Sequence, residues 1–336
     1  MFRLMSNDAA RQLHLKRDGK MIRLALIGAD WKSREFAAVA RRIRGASFRA
    51  VCDPRGEQAA SAATAIGAEL TAGGLAELLE SHRDDFDAVV APSKTIGTED
   101  FTAAARAGKH ILLEATCTEA ADAADELAAT ARDAGARLVI GRPLRFLPSM
   151  QTLRNTIVAG QLGRPGLVRV HRWRHADHTS TAAVALAPDI DLACWLFDAQ
   201  PEVVFATRSE TAESTGNLLV HLGFPGGGMA MLDLSDRLPE GGDYFSLSVI
   251  GSSGSAIADD HHNQQLIFSG GNPAAVRTDH APLHHLGMLQ DFVDSIIDER
   301  DTSDSVESVR CCERIIAAIQ SSLETRQAVE TGGISS

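Results

Sequence analysis

Residues 21–33 read MIRLALIGADWKS and contain, in order, an apolar run, a glycine and the start of a helical pattern. The run at 22–27 is almost wholly apolar, which predicts a strand buried on both faces. Gly28 ends this strand, and Phe36, Val39 and Ile43 then recur at helical spacing within 32–43. A buried strand, a glycine turn and an amphipathic helix predict the first half of a βαβ unit.

The same alternation of strand and helix continues to about residue 140. Helical stretches separate the later strand-like runs, which lie at 48–52, 88–91, 111–113 and 138–140. Parallel strands need crossover helices of this kind. The residues from 21 to 143 therefore predict an α/β domain with a Rossmann-type parallel sheet.

The pattern changes after residue 142. Strand-like runs then follow one another with Pro-Gly and Gly-Gly turns between several of them, at 167–173, 202–207, 218–224, 229–234 and 245–250. Consecutive strands with hairpin-like turns are typical of antiparallel sheets. We expect residues 144–329 to form an α+β domain with an open, predominantly antiparallel sheet, with an N-terminal extension at 1–20 and a tail at 330–336.

The composition excludes several classes of protein. The 336 residues include 33 Lys and Arg against 44 Asp and Glu, for a formal net charge of -11, which disfavours a nucleic-acid partner. No apolar run approaches the roughly 20 residues that span a bilayer, so we expect no membrane association. The five cysteines lack CxxC spacing, which indicates neither a disulfide framework nor a cysteine metal site and is compatible with a cytoplasmic location.

The turn after the first strand predicts a modified phosphate-binding site. Such turns favour glycines, which let backbone N–H groups approach a pyrophosphate at the start of a helix. Gly28 occupies the first glycine position, but Asp30 and Ser33 replace the second and third. A carboxylate at residue 30 would repel an anion, and Lys32 would partly offset that charge. The alternative for Asp30 is a purely structural role as the N-cap of the helix.

Asp53 occupies the other position expected to contact a dinucleotide. It lies 25 residues after Gly28, at the end of the second strand. An acidic residue there binds the ribose hydroxyls of NAD and disfavours the extra phosphate of NADP. Asp53 therefore favours NAD, while Arg55, two residues later, leaves NADP open.

Six short strings connect these two predicted domains to a known family. They are VCDP at 51–54, AGKHILLE at 107–114, RF at 145–146 with Pro148 after it, AGQLG at 159–163, DIDLACWL at 189–196 and VIGSSG at 249–254. In order and spacing the chain resembles the glucose-fructose oxidoreductase/inositol dehydrogenase (Gfo/Idh/MocA) family.

The resemblance implies an NAD(P)-dependent oxidoreductase that acts on a sugar, a polyol or a related hydroxy compound. It also implies a small-molecule site at the domain junction and a homodimer or homotetramer formed through the antiparallel sheet. Pro92 and Glu114, which follow two of the parallel strands, join Gly28, Asp30 and Asp53 in the implied cofactor site, together with Lys32.

The resemblance fails at the groups that carry protons. The family's catalytic lysine follows the glutamate at 114, where this chain has Ala115. The family's acid/base Asp and His fall on Val184 and Pro188, and only Asp191 remains. Two hypotheses stay open: an oxidoreductase with an altered active site, or a non-catalytic ligand-binding or regulatory protein. A lyase or hydrolase that uses NAD transiently is a third.

Histidines offer substitutes for the missing acid and base. His171, Trp173 and His175 alternate, so on one strand they share a face, and His178 follows in the loop. We predict His175 or His178 as the replacement catalytic group. The alternatives are ordinary polar residues on an open sheet or at a subunit contact, or a loose histidine metal site.

We predict Asp191, Arg145 and His171 as substrate-binding residues. Further arginines make the same region basic, namely Arg142, Arg172 and Arg174. This charge suits an anionic ligand such as a sugar acid, although a surface network of ion pairs explains it equally well.

Overall fold

The computed structural model describes residues 21–29, 31–92, 97–113, 117–175, 182–209, 216–236, 238, 243–259, 264–268, 274–277 and 283–332. Contacts between residues divide the chain into two compact units. The first takes Met1–Ala115, Asp122–Gly141 and His285–Val306. The second takes Thr116–Ala121, Arg142–His284 and Glu307–Ser336.

In the first unit, six strands of the described chain form one parallel sheet. They are β1 (Ile22–Ile27), β2 (Ala46–Cys52), β3 (Leu70–Ala72), β4 (Ala88–Ala91), β5 (His110–Leu113) and β6 (Leu138–Ile140). Their spatial order is β3-β2-β1-β4-β5-β6. This order confirms the predicted Rossmann-type sheet. Successive strands extend the sheet to one side from β1 to β3 and to the other side from β4 to β6, so the strand order reverses between β1 and β4.

Helices follow most of these strands: α1 (Trp31–Ala40), α2 (Gly56–Ile66), α3 (Leu75–Ser81), α4 (Thr98–Arg106) and α5 (Cys117–Asp133). The apolar stripe predicted on the first helix is confirmed, because Phe36 and Val39 are fully buried. The helix ends at Ala40 rather than at Ile43, and Gly45 then turns the chain into β2 with a φ of +74°.

The second unit is built on a nine-stranded sheet in the described residues. Its strands are β7 (Pro165–Trp173), β8 (Val203–Arg208), β9 (Asn217–Gly223), β10 (Met229–Ser235), β11 (Tyr244–Gly251), β12 (Ser255–Asp259), β13 (Gln264–Phe268), β14 (Ala274–Arg277) and β15 (Val329–Glu330). They run in the order β14-β13-β12-β11-β7-β10-β9-β8-β15. Only β7 and β10 pair in parallel among these strands, so the predicted antiparallel character is confirmed.

Helices cover one face of this sheet: α6 (Pro148–Val158), α7 (Ala182–Ala185), α8 (Ala187–Phe197) and, after α9 (Leu283–Ile297) of the first unit, α10 (Ser303–Thr325). Val168 and Val170 of β7 point into the resulting core, with Ile190 of α8 and Ile315 of α10. Alternate residues of the strands face away from it. No helix in the described part of the chain combines the length and apolarity needed to cross a membrane.

The division into units differs from the sequence-based boundary at 143/144 in one respect. Residues 285–306, which include most of α9, group with the first unit although they were expected in the second domain. Met288 lies against Gly141, and Gln290 exchanges hydrogen bonds with the backbone of Arg44 at 2.9 and 3.1 Å. These partners are far away in sequence, so no local pattern could indicate the pairing.

Candidate functional site

A first candidate site, within the first unit, lies where β1, β2 and β4 end. Gly28 follows β1 with a φ of +91°, a conformation that glycine adopts without strain. Its N–H donates to the carbonyl of Cys52 at 2.7 Å, which ties the ends of β1 and β2 together. Asp53 follows β2 and Pro92 follows β4, and both are buried. Three of the predicted cofactor residues are therefore at one sheet edge, where parallel α/β sheets bind ligands.

Asp53 is the most constrained group at this edge. Its Oδ2 accepts the N–H of Ala29 at 2.8 Å and Nη2–H of Arg55 at 2.9 Å. Its Oδ1 accepts the backbone N–H of Arg55 at 2.9 Å and Nε–H at 2.8 Å. The Asp53 side chain is 1% exposed, whereas that of Arg55 is 53% exposed. Hydrogen bonds from the Arg55 side chain, followed by those from the two backbone N–H groups, lower the pKa of Asp53 to about 2.

The other predicted cofactor residues are less completely placed. Lys32 lies in the first turn of α1, where the structure describes its backbone. Asp30 and Glu114 lie outside the described residues, as does Ala115. Gly28 and Ala29 follow β1 and come shortly before the first residue of α1, and Asp53 accepts a hydrogen bond from Ala29. A strand end beside a helix N-terminus is a place where anionic groups bind.

A second candidate site, within the second unit, is a cluster of charges around Asp191, on α8. Arg145 donates from Nε to Oδ2 at 2.8 Å and from Nη2 to Oδ1 at 2.6 Å. Arg142 donates from Nε to Oδ1 at 3.2 Å, and the hydroxyl of Ser308 on α10 donates to the same oxygen at 3.1 Å. Asp191 is 3% exposed and Arg145 is 22% exposed. The predicted substrate residues Asp191 and Arg145 are therefore brought together, as partners of each other.

Asp189, two residues before Asp191 on the same helix, forms a second ion pair. It is fully buried and accepts Nη2 and Nε of Arg172 at 2.5 and 3.1 Å. The guanidinium of Arg172 also lies over the ring of Phe245, 4.3 Å from its centroid. This pair is balanced in charge, so Arg172 compensates a buried carboxylate instead of offering a free cation to a ligand.

Trp195, one turn after Asp191, borders the cluster with its indole ring. The guanidinium carbon of Arg145 lies 6.0 Å from the centroid of the Trp195 ring, and the guanidinium carbon of Arg154 lies 5.6 Å from the same centroid. Arg142 and Arg145 together carry two positive charges against the one carboxylate of Asp191. Of these groups Arg145 is the partly exposed one, and its guanidinium is suited to a hydroxylated or anionic ligand.

His171 lies on the other face of the sheet from Asp191, so the structure does not bring these two predicted substrate-binding residues together. Along β7 it alternates with Val168 and Val170, which point into the core, so it must point away from α8. Its Nδ1 lies 3.0 Å from Oδ2 of Asp233 on β10. Nε1–H of Trp173 donates to the same carboxylate oxygen at 3.2 Å. This placement follows from strand alternation, since neighbouring residues of a strand face opposite sides of the sheet.

His175 lies beyond the end of β7, which stops at Trp173, so the predicted alternation does not extend to it as regular strand. Its imidazole is exposed, with Nδ1 3.1 Å from the carbonyl oxygen of Leu238. Because a carbonyl only accepts, Nδ1 carries the hydrogen and Nε2 of the neutral ring keeps its lone pair. This tautomer can accept a proton. His178, the other predicted catalytic residue, lies outside the described residues.

The two positions that the resemblance assigns to an acid and a base hold alkyl side chains. Val184 is half-buried on α7, and Pro188 is exposed in the first turn of α8, where proline needs no N–H. Neither can accept a proton. Sequence reasoning missed Asp189 and Ser308 as members of the polar network. Asp189 belongs to the DIDLACWL stretch at 189–196, but its partner Arg172 is 17 residues away in sequence. Ser308 is 117 residues from Asp191.

Two family models match the chain. Residues 22–142 match an oxidoreductase family's NAD-binding Rossmann fold, and residues 154–331 match the C-terminal alpha/beta domain of the same family, GFO_IDH_MocA.

Individual relatives match over shorter segments. The 1,5-anhydro-D-fructose reductase of Ensifer adhaerens is 33% identical over 151 residues, 45% of this chain and 45% of that protein. The 4-carboxy-2-hydroxymuconate-6-semialdehyde dehydrogenase of Sphingobium sp. (strain NBRC 103272 / SYK-6) is 29% identical over 180 residues, 47% of this chain and 56% of that protein. The matched segments thus span about half the length of these relatives.

Solved structures share the fold over nearly the whole chain. A probable dehydrogenase from Thermotoga maritima has a TM-score of 0.77 at 21% identity, covering 92% of this chain and 99% of that one. An oxidoreductase from Agrobacterium radiobacter, in complex with NAD+, L-tartaric acid and magnesium, has a TM-score of 0.77 at 15% identity, covering 93% and 98%. At these identities the likeness shows the fold alone.

Proposed function

Because the chain belongs to the Gfo/Idh/MocA oxidoreductase family, we propose that it is an NAD(P)-dependent oxidoreductase with an altered proton-transfer site. Its substrate would be a sugar, a polyol or a related hydroxy compound. The observation that carries the proposal is the placement of Gly28, Asp53 and Pro92 at the ends of adjacent parallel strands, beside the point where the strand order reverses. A nicotinamide bound there would accept or donate the hydride.

The Asp191 cluster is the proposed substrate-binding group. Arg145 is fixed in position by its two hydrogen bonds to Asp191, while part of its side chain stays exposed. A fixed guanidinium beside the face of Trp195 can orient a hydroxyl or carboxylate with little loss of side-chain entropy. Buried Asp191 acts through Arg145, so we assign it a positioning role.

Oxidation of an alcohol also requires a group that removes the hydroxyl proton. Ala115, Val184 and Pro188 provide none. We propose His175 for this role, because its Nδ1–H is held by the carbonyl of Leu238 and Nε2 retains a lone pair. His178 is the second candidate from the sequence.

A specific observation favours the second candidate function, non-catalytic ligand binding. Asp191, which is retained from the family pattern, has its carboxylate occupied by Arg142, Arg145 and Ser308. The two described positions of the usual acid and base are alkyl groups. A protein that kept this fold only to bind a ligand would need no group that accepts the substrate's proton.

Titration of the purified protein with NADH and NADPH, followed by assays with polyols and sugar acids, separates these functions. Submillimolar binding with turnover supports the oxidoreductase. Binding of nucleotide or sugar acid without any turnover across the substrate panel supports the non-catalytic protein. No nucleotide binding at millimolar concentration contradicts the oxidoreductase.

A further inference from the structure

We propose that the ribose end of the nucleotide site selects NADP(H) over NAD(H), with Arg55 as the residue that determines specificity. Arg55 would bind the 2′-phosphate, and Asp53 would hold Arg55 in place. The inference rests on the proposed function, and it reverses the preference for NAD that Asp53 alone indicates.

The first step of the argument is that Asp53 is already saturated. A carboxylate has about four lone-pair sites. The four hydrogen bonds from Ala29 and Arg55, all between 2.8 and 2.9 Å, occupy them. With 1% of the Asp53 side chain exposed, a ribose hydroxyl could reach the carboxylate only by displacing Arg55.

The second step concerns Arg55 itself. Its guanidinium is held at two atoms by Asp53, yet half of the side chain is exposed. A guanidinium presents five N–H donors in a rigid plane, which suits phosphate oxygens, and prior anchoring reduces the entropy lost on binding. Of the two paired side chains at the end of β2, the exposed one is thus the cation, where the sequence suggested an anion.

The third step is the position of Arg55 at a helix N-terminus. Arg55 is the N-cap of α2, and its side chain makes no capping hydrogen bond. The first turn of this helix adds the positive end of the helix dipole near the guanidinium. Glu57 in the same turn opposes this field, but its side chain is exposed and screened by salt. A phosphate dianion gains more from this arrangement than a neutral hydroxyl does.

The geometry also says what each nucleotide would cost. NADP(H) would leave the Asp53–Arg55 pair intact and add charge-assisted hydrogen bonds to its outer side. For the ribose hydroxyls of NAD(H) to bind Asp53, the two hydrogen bonds between the charged side chains of Arg55 and Asp53 would have to break. Since such bonds are stronger than neutral ones, we expect at least a tenfold tighter binding of NADPH.

The test measures dissociation constants of NADPH and NADH by calorimetry for the wild type, Arg55→Ala, Arg55→Lys and Arg49→Ala. Arg49 is a control on β2, because its ion pair is with Glu69 and not with Asp53. We expect Arg55→Ala to lose the preference and to bind NADH better than the wild type, because it frees the oxygens of Asp53. Arg55→Lys should be intermediate, and Arg49→Ala unchanged.

A second pair of probes needs no variant. Adenosine 2′,5′-bisphosphate should bind the wild type at least tenfold more tightly than 5′-AMP, with a steeper loss of affinity as salt is added. A wild type that prefers NADH, or a preference for NADPH that survives in Arg55→Ala, overturns the inference and leaves the oxidoreductase proposal standing. A protein that binds neither nucleotide overturns both.

Discussion

Arg145 and Asp191 form a two-point ion pair in which Nε and Nη2 of the guanidinium donate to different carboxylate oxygens at 2.8 and 2.6 Å. Asp191 is almost fully buried, and Arg142 and Ser308 complete its hydrogen bonding. A carboxylate so placed stabilises the fold only as long as its cations are present, and they in turn depend on it.

Asp191→Asn should therefore destabilise the second unit strongly. The substitution leaves Arg142 and Arg145 close together without the shared negative charge. Removing one partner of a buried ion pair typically costs 3–5 kcal/mol, and the partial exposure of Arg145 places the expected loss near the lower end, at about 3 kcal/mol. Urea denaturation followed by circular dichroism measures the change.

Asp198→Asn is the matched control. Asp198 pairs with Arg154 at 3.1 Å but is 82% exposed, and asparagine tolerates its left-handed backbone. Exposed pairs contribute about 0–1 kcal/mol, so this variant should stay close to the wild type. Equal losses in the two variants would contradict the structural role assigned to Asp191.

The acid stability of the first unit should reflect Asp53. Hydrogen bonds from Arg55 lower its folded-state pKa from an ordinary value near 4 to about 2. A lowered pKa stabilises the fold above the unfolded-state value, and this contribution is lost as pH falls from about 4 to about 2. For this buried carboxylate it amounts to about 2 kcal/mol.

Comparison with Asp53→Asn isolates this effect, because the variant has no group to titrate at residue 53. The difference in free energy of unfolding between wild type and variant should be constant from pH 7 to about pH 5 and shrink by about 2 kcal/mol at lower pH. A difference that does not change with pH would show that Asp53 has an ordinary pKa.

The sequence predicted those features that depend on local pattern. The apolar run at 22–27, Gly28 and the spacing to Asp53 were sufficient for the parallel sheet and for the edge where these residues meet. The pattern could not reveal that Arg55 donates hydrogen bonds to both carboxylate oxygens of Asp53, because a contact between residues i and i+2 in a loop depends on the conformation of that loop. It is this contact on which the proposed preference for NADP(H) rests.

The separation of His171 from Asp191 could not be predicted for a different reason. Alternation correctly places His171 and Trp173 on one face of β7, opposite to Val168 and Val170. The sequence does not say which face a substrate would use. Helix α8 packs on the valine side, so Arg172, which lies between His171 and Trp173 and points to the opposite face from both, reaches the buried carboxylate of Asp189.

His175→Ala should lower kcat by about 100-fold or more if Nε2 accepts the substrate proton, since general base catalysis contributes at least that much. KM should change little, because the imidazole is not among the proposed substrate-binding groups. Steady-state kinetics with a substrate from the panel provide the measurement. His221→Ala, an exposed histidine on the outer sheet face, is the control, and equal rates for the wild type and His175→Ala would eliminate His175.

Gly251→Ala should destabilise the second unit by about 3 kcal/mol. A Cβ at residue 251 would collide with the backbone carbonyl of Leu162 and lie 3.3 Å from that of Arg164. Backbone cannot move aside as the end of a flexible side chain can. At Gly166 the nearest atom, the carbonyl oxygen of Ile250, is 3.6 Å away, so Gly166→Ala should cost less than about 1 kcal/mol. Thermal melts of both variants test the ranking, which an equally stable Gly251→Ala would reverse.

The outer face of the nine-stranded sheet leads to a proposal about assembly. Large apolar side chains on six of its strands are more than a third exposed: Trp173, Val203, Phe205, Leu219, Met229, Ile250 and Ile257. An apolar sheet face of this extent is expected to be covered, and we propose that a second copy of the chain covers it. Light scattering at micromolar concentration should then give at least twice the mass of one chain.

Leu219→Arg tests this surface directly, because Leu219 lies on β9 near the middle of the sheet and is 38% exposed. A buried, unpaired guanidinium in the interface should shift the protein to the mass of a single chain. Val158→Arg is the control, since Val158 is 58% exposed but ends α6 on the helical side. Assembly through the sheet requires that the first variant dissociate and the second not. A monomeric wild type would contradict the proposed assembly. A Val158 variant that dissociates while the Leu219 variant does not would show that the interface is not on the outer sheet face.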